Sequence, residues 1–263
     1  MKYAIISDIH SNLQALEAAL KEIKKIGVDS IICLGDIVGY NANPSECISL
    51  IKNDTKFTYR VKGNHDITGA KGLDGLSYFE INEWSQDAID GLRLTDFILN
   101  AEDRKWILSA PETLEIKDSK MNFFISHYSP AGRDSNFGYV LSEWDANTAM
   151  RYLRAKNINL GFFGHTHVPT TVISKKSKVL FEIGSHVCND TIEIYEDRHY
   201  LVNPGSIGQP RKNGFVSFAI FDTEKMTIDF VPFTYNIQKA KDAIMKAPYK
   251  NPNANIRLSN RLI

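Results

Sequence analysis

Two histidines separated by one residue, His165 and His167, follow a short apolar run and Gly164. The chain has only 7 histidines, so this spacing concentrates imidazole in one place. Imidazole nitrogen binds Zn, Mn, Fe and Ni alike. Taken alone, the pair favours a surface turn that happens to hold two histidines over a metal site. Its interpretation therefore depends on what the rest of the chain places beside it.

Seven side chains of metal-binding type follow apolar runs along the chain. They are two carboxylates, one amide and four imidazoles: Asp8, His10, Asp36, Asn64, His127, His165 and His167. One cation rarely takes seven protein ligands, whereas two cations accommodate them if one carboxylate bridges. Asp36 is the expected bridge, because it lies in the middle of the order and has two oxygens.

The expected chemistry of such a set is hydrolysis of a phosphoester. Two divalent ions about 4 Å apart hold a bridging hydroxide at neutral pH and clamp the oxygens of an in-line displacement. His65 adjoins Asn64 but is not needed as a ligand. We therefore expect His65 to donate a proton to the leaving oxygen.

The elements that must bring these groups together alternate in type. Apolar runs at 3–6, 30–34 and 57–61 predict buried strands, and amphipathic stretches between them predict helices. Ser11 with Gln14 resembles a capping box and predicts that the first helix begins at Ser11. Such βαβ units place their functional groups beyond the carboxyl ends of the strands. Ligand clusters that are distant in sequence should therefore meet.

The remainder of the chain predicts a helical segment and then a run of strands. We expect helices within about 67–110, strands at 122–125 and 160–163, and a helix over 145–156. The 67–110 segment and the polar loop 130–142 are the expected sources of substrate specificity. After Val168 the pattern is mainly extended, which predicts a second, mainly antiparallel sheet. A helix is predicted near 238–245, and the order of the polar tail beyond it is left open.

Composition limits the class of protein. With 263 residues, 31 basic and 31 acidic, the chain has no net charge and no sign of the basic face that grips long nucleic acid. Cys33, Cys47 and Cys188 are scattered, which fits a reducing compartment. No apolar run reaches the roughly 20 residues of a membrane span, and no secretory signal is apparent. We expect one cytoplasmic domain over 1–263.

Five short stretches together resemble the calcineurin-like metallophosphoesterase superfamily. They are Asp8-Ile9-His10, Gly35-Asp36-Ile37-Val38-Gly39, Gly63-Asn64-His65-Asp66, His127 and Gly164-His165-Thr166-His167. The stretches Gly39-Tyr40, 203–206 and 209–211 resemble its compact bacterial and archaeal phosphodiesterase branch, often described as diadenosine-tetraphosphatase-like. The resemblance covers about residues 1–235. It implies an α/β fold, a four-layer αββα sandwich of two mixed sheets, with the metals at the carboxyl edge of the strands.

The resemblance also implies individual roles. It gives two ligand groups that share one carboxylate: Asp8, His10, Asp36 and His167 for one ion, and Asp36, Asn64, His127 and His165 for the other. His65 would face the phosphate and the leaving group, and Asp66 would orient a neighbour. Asn12 and Arg211 are candidate phosphate contacts, although an N-cap role explains Asn12 equally well and a surface cation explains Arg211.

The leading interpretation is a metallophosphoesterase that acts on a small phosphorylated molecule, a phosphodiester or a dinucleoside polyphosphate. The expected cofactors are two divalent ions per chain, with Mn first and Fe, Zn, Ni or Co as alternatives. A catalytically weak scaffold of the same fold is one alternative, and a nuclease on short oligonucleotides is another. No membrane partner is expected, and the sequence leaves a monomer or a dimer open.

Overall fold

The computed structural model describes the chain except for residues 75, 77–80, 83, 133–137, 176–177, 184–190, 212–214, 252 and 263, and the side chains of 175 and 178–183. The strands are β1 (Lys2–Ile6), β2 (Ser30–Cys33), β3 (Phe57–Arg60), β4 (Thr113–Ile116), β5 (Phe123–Ser126), β6 (Leu160–Phe162), β7 (Thr170–Lys175), β8 (Lys178–Ile183), β9 (Thr191–Glu193), β10 (Arg198–Asn203), β11 (Val216–Asp222) and β12 (Thr227–Phe233). The helices are α1 (Leu13–Ile26), α2 (Pro44–Asn53), α3 (Asn64–Lys71), α4 (Gln86–Ile98), α5 (Ala101–Leu108), α6 (Glu143–Ala155), α7 (Ile237–Lys246) and α8 (Ala254–Arg261).

The strands form two six-stranded mixed sheets. The first has the order β3-β2-β1-β11-β12-β9, and the second has the order β4-β5-β6-β10-β7-β8. In the first sheet β1, β2 and β3 are parallel, and in the second β6 is parallel to β5 and β10. The expected α/β fold with two mixed sheets is therefore confirmed.

Three apolar layers hold the sandwich together. Between the sheets, Tyr3 and Phe221 of the first sheet contact Phe123 of the second, at ring centroid distances of 5.4 Å and 5.5 Å. Helices α1 and α2 cover the outer face of the first sheet, and α6 covers the outer face of the second. Burial of this apolar area is the main favourable term in folding, and it fixes the sheet edge that carries the site.

The prediction of a separate antiparallel sheet after Val168 is wrong. The strands of this half divide between the sheets, since β9, β11 and β12 join the first and β7, β8 and β10 join the second. Strand β11 is buried along its whole length. A strand with two apolar faces belongs in the middle of a covered sheet, and β11 accordingly pairs with β1 on one side and β12 on the other.

The first helix begins later than expected, because Asn12 and not Ser11 is its N-cap. The Asn12 side-chain oxygen accepts a hydrogen bond from the Ala15 amide at 3.1 Å, which satisfies a free donor of the first turn. The amide of Ser11 instead donates to the Ile37 carbonyl at 2.9 Å. The expected helices in the 67–110 segment are confirmed as α4 and α5, within the part of that segment that the structure describes.

Candidate metal centre

Four loops and one helix start meet at a single edge of the sandwich. The loops follow β1, β2, β5 and β6, and the helix is α3. Backbone hydrogen bonds join the loops directly: the Asp8 amide donates to the Gly35 carbonyl at 3.1 Å, and the His10 amide to the Asp36 carbonyl at 2.9 Å. Within the second sheet, the loops after β5 and β6 are joined by the Gly164 amide, which donates to the His127 carbonyl at 2.9 Å.

The backbone of these loops is held in a conformation that most residues avoid. Asp8, His10, Asp36, His165 and His167 have φ values between 49° and 68°. The left-handed region costs of order 1–3 kcal/mol for a residue other than glycine, and such residues cluster where function requires a fixed geometry. Five of the seven predicted ligands therefore occupy a backbone that the surrounding hydrogen bonds must hold in place.

Two glycines leave room for the carboxylates. A Cβ on Gly63 would lie 2.0 Å from Asp36 Oδ1, and a Cβ on Gly164 would lie 2.1 Å from Ser7 Oγ and 3.0 Å from Asp8 Oδ2. Neither position accepts a side chain without displacement of these groups. This explains why glycine precedes the Asn64 and His165 stretches.

The first cluster of metal-binding atoms contains Asp8, His10, Asp36 and His167, all buried. His167 Nε2 lies 3.1 Å from His10 Nε2 and 3.2 Å from Asp8 Oδ1. His10 Nε2 lies 3.8 Å from Asp8 Oδ1 and 3.6 Å from Asp36 Oδ2. Atoms bound to one cation at about 2.0–2.2 Å are separated by about 3–4 Å, so this spacing matches that of a ligand set.

The second cluster contains Asp36, His127 and His165, and it shares Asp36 with the first. His127 Nε2 lies 3.2 Å from Asp36 Oδ2 and 3.2 Å from Asn64 Oδ1. The His165 amide donates to Asp8 Oδ2 at 3.2 Å, so the backbone of this loop also contacts a carboxylate of the first cluster. The predicted ligands are thus brought together in two groups around one carboxylate.

Backbone carbonyls fix the orientation of three imidazoles. Nδ1 of His10 lies 3.1 Å from the Val38 carbonyl, Nδ1 of His127 lies 2.8 Å from the Leu34 carbonyl, and Nδ1 of His167 lies 2.6 Å from the Gln209 carbonyl. A carbonyl accepts only from an N–H, so each ring carries its proton on Nδ1. Each neutral ring therefore presents an Nε2 lone pair to the cluster, as metal-binding histidines do.

Burial and mutual contact shift the pKa values of these groups. Burial raises the pKa of the Asp8 carboxyl to about 7 and lowers that of His10 to about 4. Burial also lowers the pKa of His127, but the Asp36 carboxylate outweighs it and raises the value to about 9. Burial raises the pKa of Asp36, yet His127 and His65 hold it well below its usual range. Without a cation, one imidazole proton therefore neutralises part of the buried negative charge.

The donor set fits a divalent cation on two observations of this structure. Among the described residues, no group donates a well-aligned hydrogen bond to Asp8 Oδ1 or Asp36 Oδ2, although both atoms are buried. A buried anionic oxygen is costly unless a charge or donor compensates it. The same two oxygens lie closest to the Nε2 atoms. A cation bound there would satisfy both the oxygens and the nitrogen lone pairs.

His65 lies at the rim of the cluster among aromatic rings. Its ring centroid is 4.6 Å from that of His10, 4.8 Å from Tyr40 and 4.7 Å from Trp84. Its backbone amide donates to Asp36 Oδ1 at 2.9 Å. Burial lowers the pKa of His65 well below its usual range, which favours the neutral ring. The side chain is therefore positioned beside the ligand cluster without joining it.

The Asp66 carboxylate accepts hydrogen bonds from three backbone amides. Its Oδ1 accepts from the Ile37 amide at 2.8 Å and the Val38 amide at 3.2 Å, and its Oδ2 accepts from the Gly63 amide at 3.1 Å. These bonds cap α3 and fasten it to the loop that carries Asp36. The predicted orienting role fits this geometry, whereas direct contact with a substrate does not.

The two candidate phosphate contacts differ in their environment. Asn12 is fully engaged, because its oxygen caps α1 and its Nδ2 donates to the Gly208 carbonyl at 3.0 Å. A phosphate contact would require one of these bonds to break. Arg211 is exposed, and its amide donates to the His167 carbonyl at 3.4 Å. Its charge lowers the pKa of His167, after the larger effect of burial, so the guanidinium lies within electrostatic reach of the centre.

Several residues at the site were given no individual role there by the sequence. Tyr40 and Trp84 contact His65, and Tyr139 stacks on His165 with ring centroids 4.0 Å apart. Asn203 donates to the Gly164 carbonyl at 2.7 Å, and Ser206 donates to the Asp8 carbonyl at 2.8 Å. Trp84 belongs to the 67–110 segment, which the sequence indicated as a source of specificity, and its ring borders the site. Contacts of this kind depend on which chain segments meet, and no local signal reports that.

Comparison with known proteins identifies relatives over most of the chain. The family model described as the calcineurin-like phosphoesterase superfamily domain matches residues 1–226. An uncharacterized protein of Methanocaldococcus jannaschii is 39% identical over 246 residues, which cover 92% of this chain and 91% of that protein.

Two solved structures share the whole architecture. A metallophosphoesterase from Sphaerobacter thermophilus is 26% identical, with a TM-score of 0.74 and coverage of 98% of this chain and 99% of that one. A hypothetical protein from Pyrococcus horikoshii is 23% identical, with a TM-score of 0.74 and coverage of 98% and 97%, and shows likeness of fold. Within the described residues, no helix has the length and apolar character needed to cross a membrane.

Proposed function

The chain belongs to the calcineurin-like phosphoesterase superfamily and is a hydrolase of the metallophosphoesterase type, and from that premise we propose that it cleaves a small phosphoester with two divalent cations. The observation that carries the proposal is the shared carboxylate, since Asp36 belongs to both clusters of ligand atoms. Asp8, His10 and His167 complete the first site. Asn64, His127 and His165 complete the second.

When bound, the cations supply Lewis-acid stabilisation of the phosphoryl oxygens and lower the pKa of water. The protein's part is to keep the imidazole ligands neutral and to hold all the ligands oriented and buried away from solvent. Carbonyl contacts hold the protons of His10, His127 and His167 on Nδ1. The left-handed backbone of the loops fixes the direction from which each ligand approaches. This geometry is in place before substrate binds, which reduces the reorganisation needed during the reaction.

His65 is the proposed group for the leaving oxygen. In its neutral form the ring still carries one N–H, which can donate a hydrogen bond to that oxygen as charge develops on it. Arg211 is the proposed phosphate contact, because it adds a fixed positive charge within electrostatic reach of His167 and Asp8. In this scheme Asp66 and Asn12 form hydrogen bonds to backbone groups and stabilise the loops that follow β2 and β1, respectively.

The proposed substrates are phosphodiesters or dinucleoside polyphosphates, and Mn²⁺ is the proposed ion, with Fe, Zn, Ni and Co as alternatives. A set of imidazole, carboxylate and amide ligands accepts all of these ions, so availability decides among them. Ligands held at fixed distances by backbone bonds favour a small divalent ion over Ca²⁺, whose bonds are longer and less directional.

The test combines metal content with hydrolysis of bis(p-nitrophenyl) phosphate by Mn²⁺-loaded protein. We expect about two ions per chain in the wild type. Asp36→Ala should lose most of the metal and lower turnover by at least about 1000-fold, because both sites lose a ligand. His65→Ala should keep the metal and lower turnover by about 100-fold, because only the leaving-group contact is removed.

His199→Ala is the matched control, since His199 is a half-buried histidine on β10 that belongs to neither cluster. It should keep both metal content and turnover within about twofold. Hydrolysis by purified Asp36→Ala protein at the wild-type rate would contradict the proposal. Loss of metal from His65→Ala to the same degree as from Asp36→Ala would contradict the separate role of His65.

A further inference from the structure

A cavity of about 200 Å³ opens beside the candidate metal centre. Its lining includes Tyr139, Leu141, Thr166, Val168 and Arg211. Tyr139 and Leu141 come from the end of the 130–142 loop, which the sequence indicated as a source of specificity. The cavity is therefore formed where the end of this loop meets the ligand stretch that contains His165 and His167.

Three residues that line the cavity adjoin or contact predicted ligands of the centre. Thr166 lies between His165 and His167 in the chain. The Tyr139 ring stacks on the His165 ring at a centroid distance of 4.0 Å and an interplanar angle of 29°. The Arg211 amide donates to the His167 carbonyl at 3.4 Å. A phosphate held beside the ligand cluster would therefore have its substituents within reach of this cavity.

The walls of the cavity are mainly apolar. Val140 and Val168 are 1% and 5% exposed, and Leu141 is 50% exposed at the edge. The Thr166 hydroxyl already accepts a hydrogen bond from Asn203 Nδ2 at 2.9 Å. Among the described lining residues Arg211 is the single ionised side chain. The chemistry of the lining is thus an apolar and aromatic surface with one cation.

We propose that this cavity is the subsite for an apolar or aromatic group that is esterified to the substrate phosphate, with Arg211 at its phosphate end. The size fits, since a cavity of about 150 Å³ lined by apolar side chains holds benzene. The inference rests on the proposed function for the location of the phosphate. It narrows the substrate class to phosphoesters that carry a ring-sized apolar group and disfavours those whose substituents are uniformly charged.

Leu141 is the residue that best separates this role from the fold. Its side chain is half exposed, while its backbone amide donates to Asp145 Oδ2 at 3.1 Å, and a substitution leaves that bond intact. An aspartate at this position places a charge at the edge of the apolar surface. This charge should weaken the binding of a ring in the cavity and leave the ligand cluster unchanged.

The experiment measures binding of methylphosphonate and phenylphosphonate to Mn²⁺-loaded protein by calorimetry. Both are uncleavable phosphonates of the same charge, so the ratio of their dissociation constants reports the organic group alone. We expect phenylphosphonate to bind at least about tenfold more tightly to the wild type. In Leu141→Asp the two dissociation constants should agree within about twofold, and Leu141→Met should restore the preference.

Phe97→Asp is the matched control, because Phe97 is 66% exposed on α4 and lies outside the cavity lining. It adds the same charge and should leave the preference unchanged. Equal binding of the two phosphonates, no binding of phenylphosphonate, or a preference that survives in Leu141→Asp would overturn the subsite. If the protein hydrolyses bis(p-nitrophenyl) phosphate but binds the two phosphonates equally, the subsite alone is overturned. If it prefers phenylphosphonate but does not hydrolyse the diester, the proposed function alone is overturned.

Discussion

Two pairs of buried aspartates lie in different parts of the molecule and are compensated in different ways. Asp87 and Asp90 on α4 lie under α8, where Arg257 donates to both carboxylates and Arg261 Nε lies 2.5 Å from Asp87 Oδ2. Asp8 and Asp36 lie at the edge of the sheets among histidines. All four aspartates are 6% exposed or less, so each needs a partner for its charge.

The two pairs differ in the source of the positive charge that compensates the carboxylates. Next to Asp87 and Asp90 the chain itself provides guanidinium groups, so this cluster needs no ion from solvent. Next to Asp8 and Asp36 it provides imidazoles whose Nδ1 protons are committed to carbonyls. Their Nε2 atoms face the carboxylates either as lone pairs or, in His127, with a proton taken up from solvent that a cation must displace. The comparison shows that buried acidic groups indicate a binding site when their neighbours are imidazoles and not permanently charged guanidinium groups.

The largest expected effect comes from removal of one charge from the metal centre. Burial raises the pKa of Asp8 to about 7, so folding favours its protonated form and that favourable contribution is lost as pH rises through about 7. Asp8→Asn should therefore leave metal-free protein at pH 8 as stable as the wild type or more stable by about 1–2 kcal/mol. Affinity for Mn²⁺ should fall at least about 100-fold, as measured by calorimetry beside urea denaturation.

Asp242→Asn serves as the control, because Asp242 is exposed on α7. It should change neither the affinity for Mn²⁺ nor the free energy of unfolding by a measurable amount. A clear loss of stability in metal-free Asp8→Asn at pH 8 would show that the Asp8 charge is compensated by the chain. The two aspartate clusters would then be alike, contrary to the comparison.

The sequence could predict which residues of metal-binding type meet at this edge, because their signal is local. Each ligand stretch follows an apolar strand directly, and parallel strands bring such ends to one edge of a sheet. The residue types are themselves informative, since carboxylate and imidazole at the end of a buried strand have few structural uses. Asp36 was predicted to be a shared ligand, and the structure places it in both clusters of metal-binding atoms.

The cluster that Arg257 and Arg261 form with Asp87 and Asp90, called the Arg–Asp cluster below, could not be predicted. It depends on pairing between residues more than 160 positions apart in the chain. Helix α8 is short and its composition is polar, with Ala254 and Leu258 as its buried apolar residues, so the sequence left the order of this tail open. Strand β4 was also missed, since it is a short edge strand with two exposed positions. Charge pairing and edge positions are properties of the assembled fold.

The second expected effect is a loss of about 2 kcal/mol in the free energy of unfolding when the Arg–Asp cluster is broken. Arg257→Met leaves Asp90 buried without its guanidinium, although Asn251 still donates to it at 3.1 Å. Because Arg257 is 36% exposed, the loss should lie between that of a surface pair and that of a fully buried one. Urea denaturation should show the loss, while turnover of the chromogenic diester at 25 °C should stay within about twofold.

The double variant Arg257→Met with Asp90→Asn should recover about 1 kcal/mol, because the uncompensated charge is then removed as well. Arg151→Met on the exposed face of α6 is the control and should be neutral. If Arg257→Met lowered turnover as strongly as stability, the two clusters would not be independent.

The third expected effect concerns pH. Burial lowers the pKa of His127, but Asp36 raises it to about 9, so the metal-free ring holds a proton at neutral pH that a cation must displace. Affinity for Mn²⁺ should therefore rise about tenfold per unit between pH 6.5 and 8.5. Asp8 should add to the slope of Mn²⁺ affinity against pH below about pH 7.

Calorimetry in two buffers of different ionisation enthalpy counts the protons that are released when Mn²⁺ binds. His199→Gln should keep the slope, and an affinity independent of pH would contradict the His127–Asp36 pairing.

The smallest expected effect connects the C-terminal segment to the metal centre. The Tyr249 hydroxyl donates to the Tyr40 carbonyl at 2.9 Å, and Tyr40 has a φ of 55° with its ring 4.8 Å from both His10 and His65. Tyr249→Phe leaves that buried carbonyl without its donor, which should cost about 1 kcal/mol of stability. Because Tyr40 borders His65, turnover of the diester should also fall about two- to fivefold at unchanged metal content. Tyr195→Phe removes an exposed hydroxyl and should change neither quantity. Wild-type turnover in a destabilised Tyr249→Phe would show that the C-terminal helices support the fold and not the position of His65.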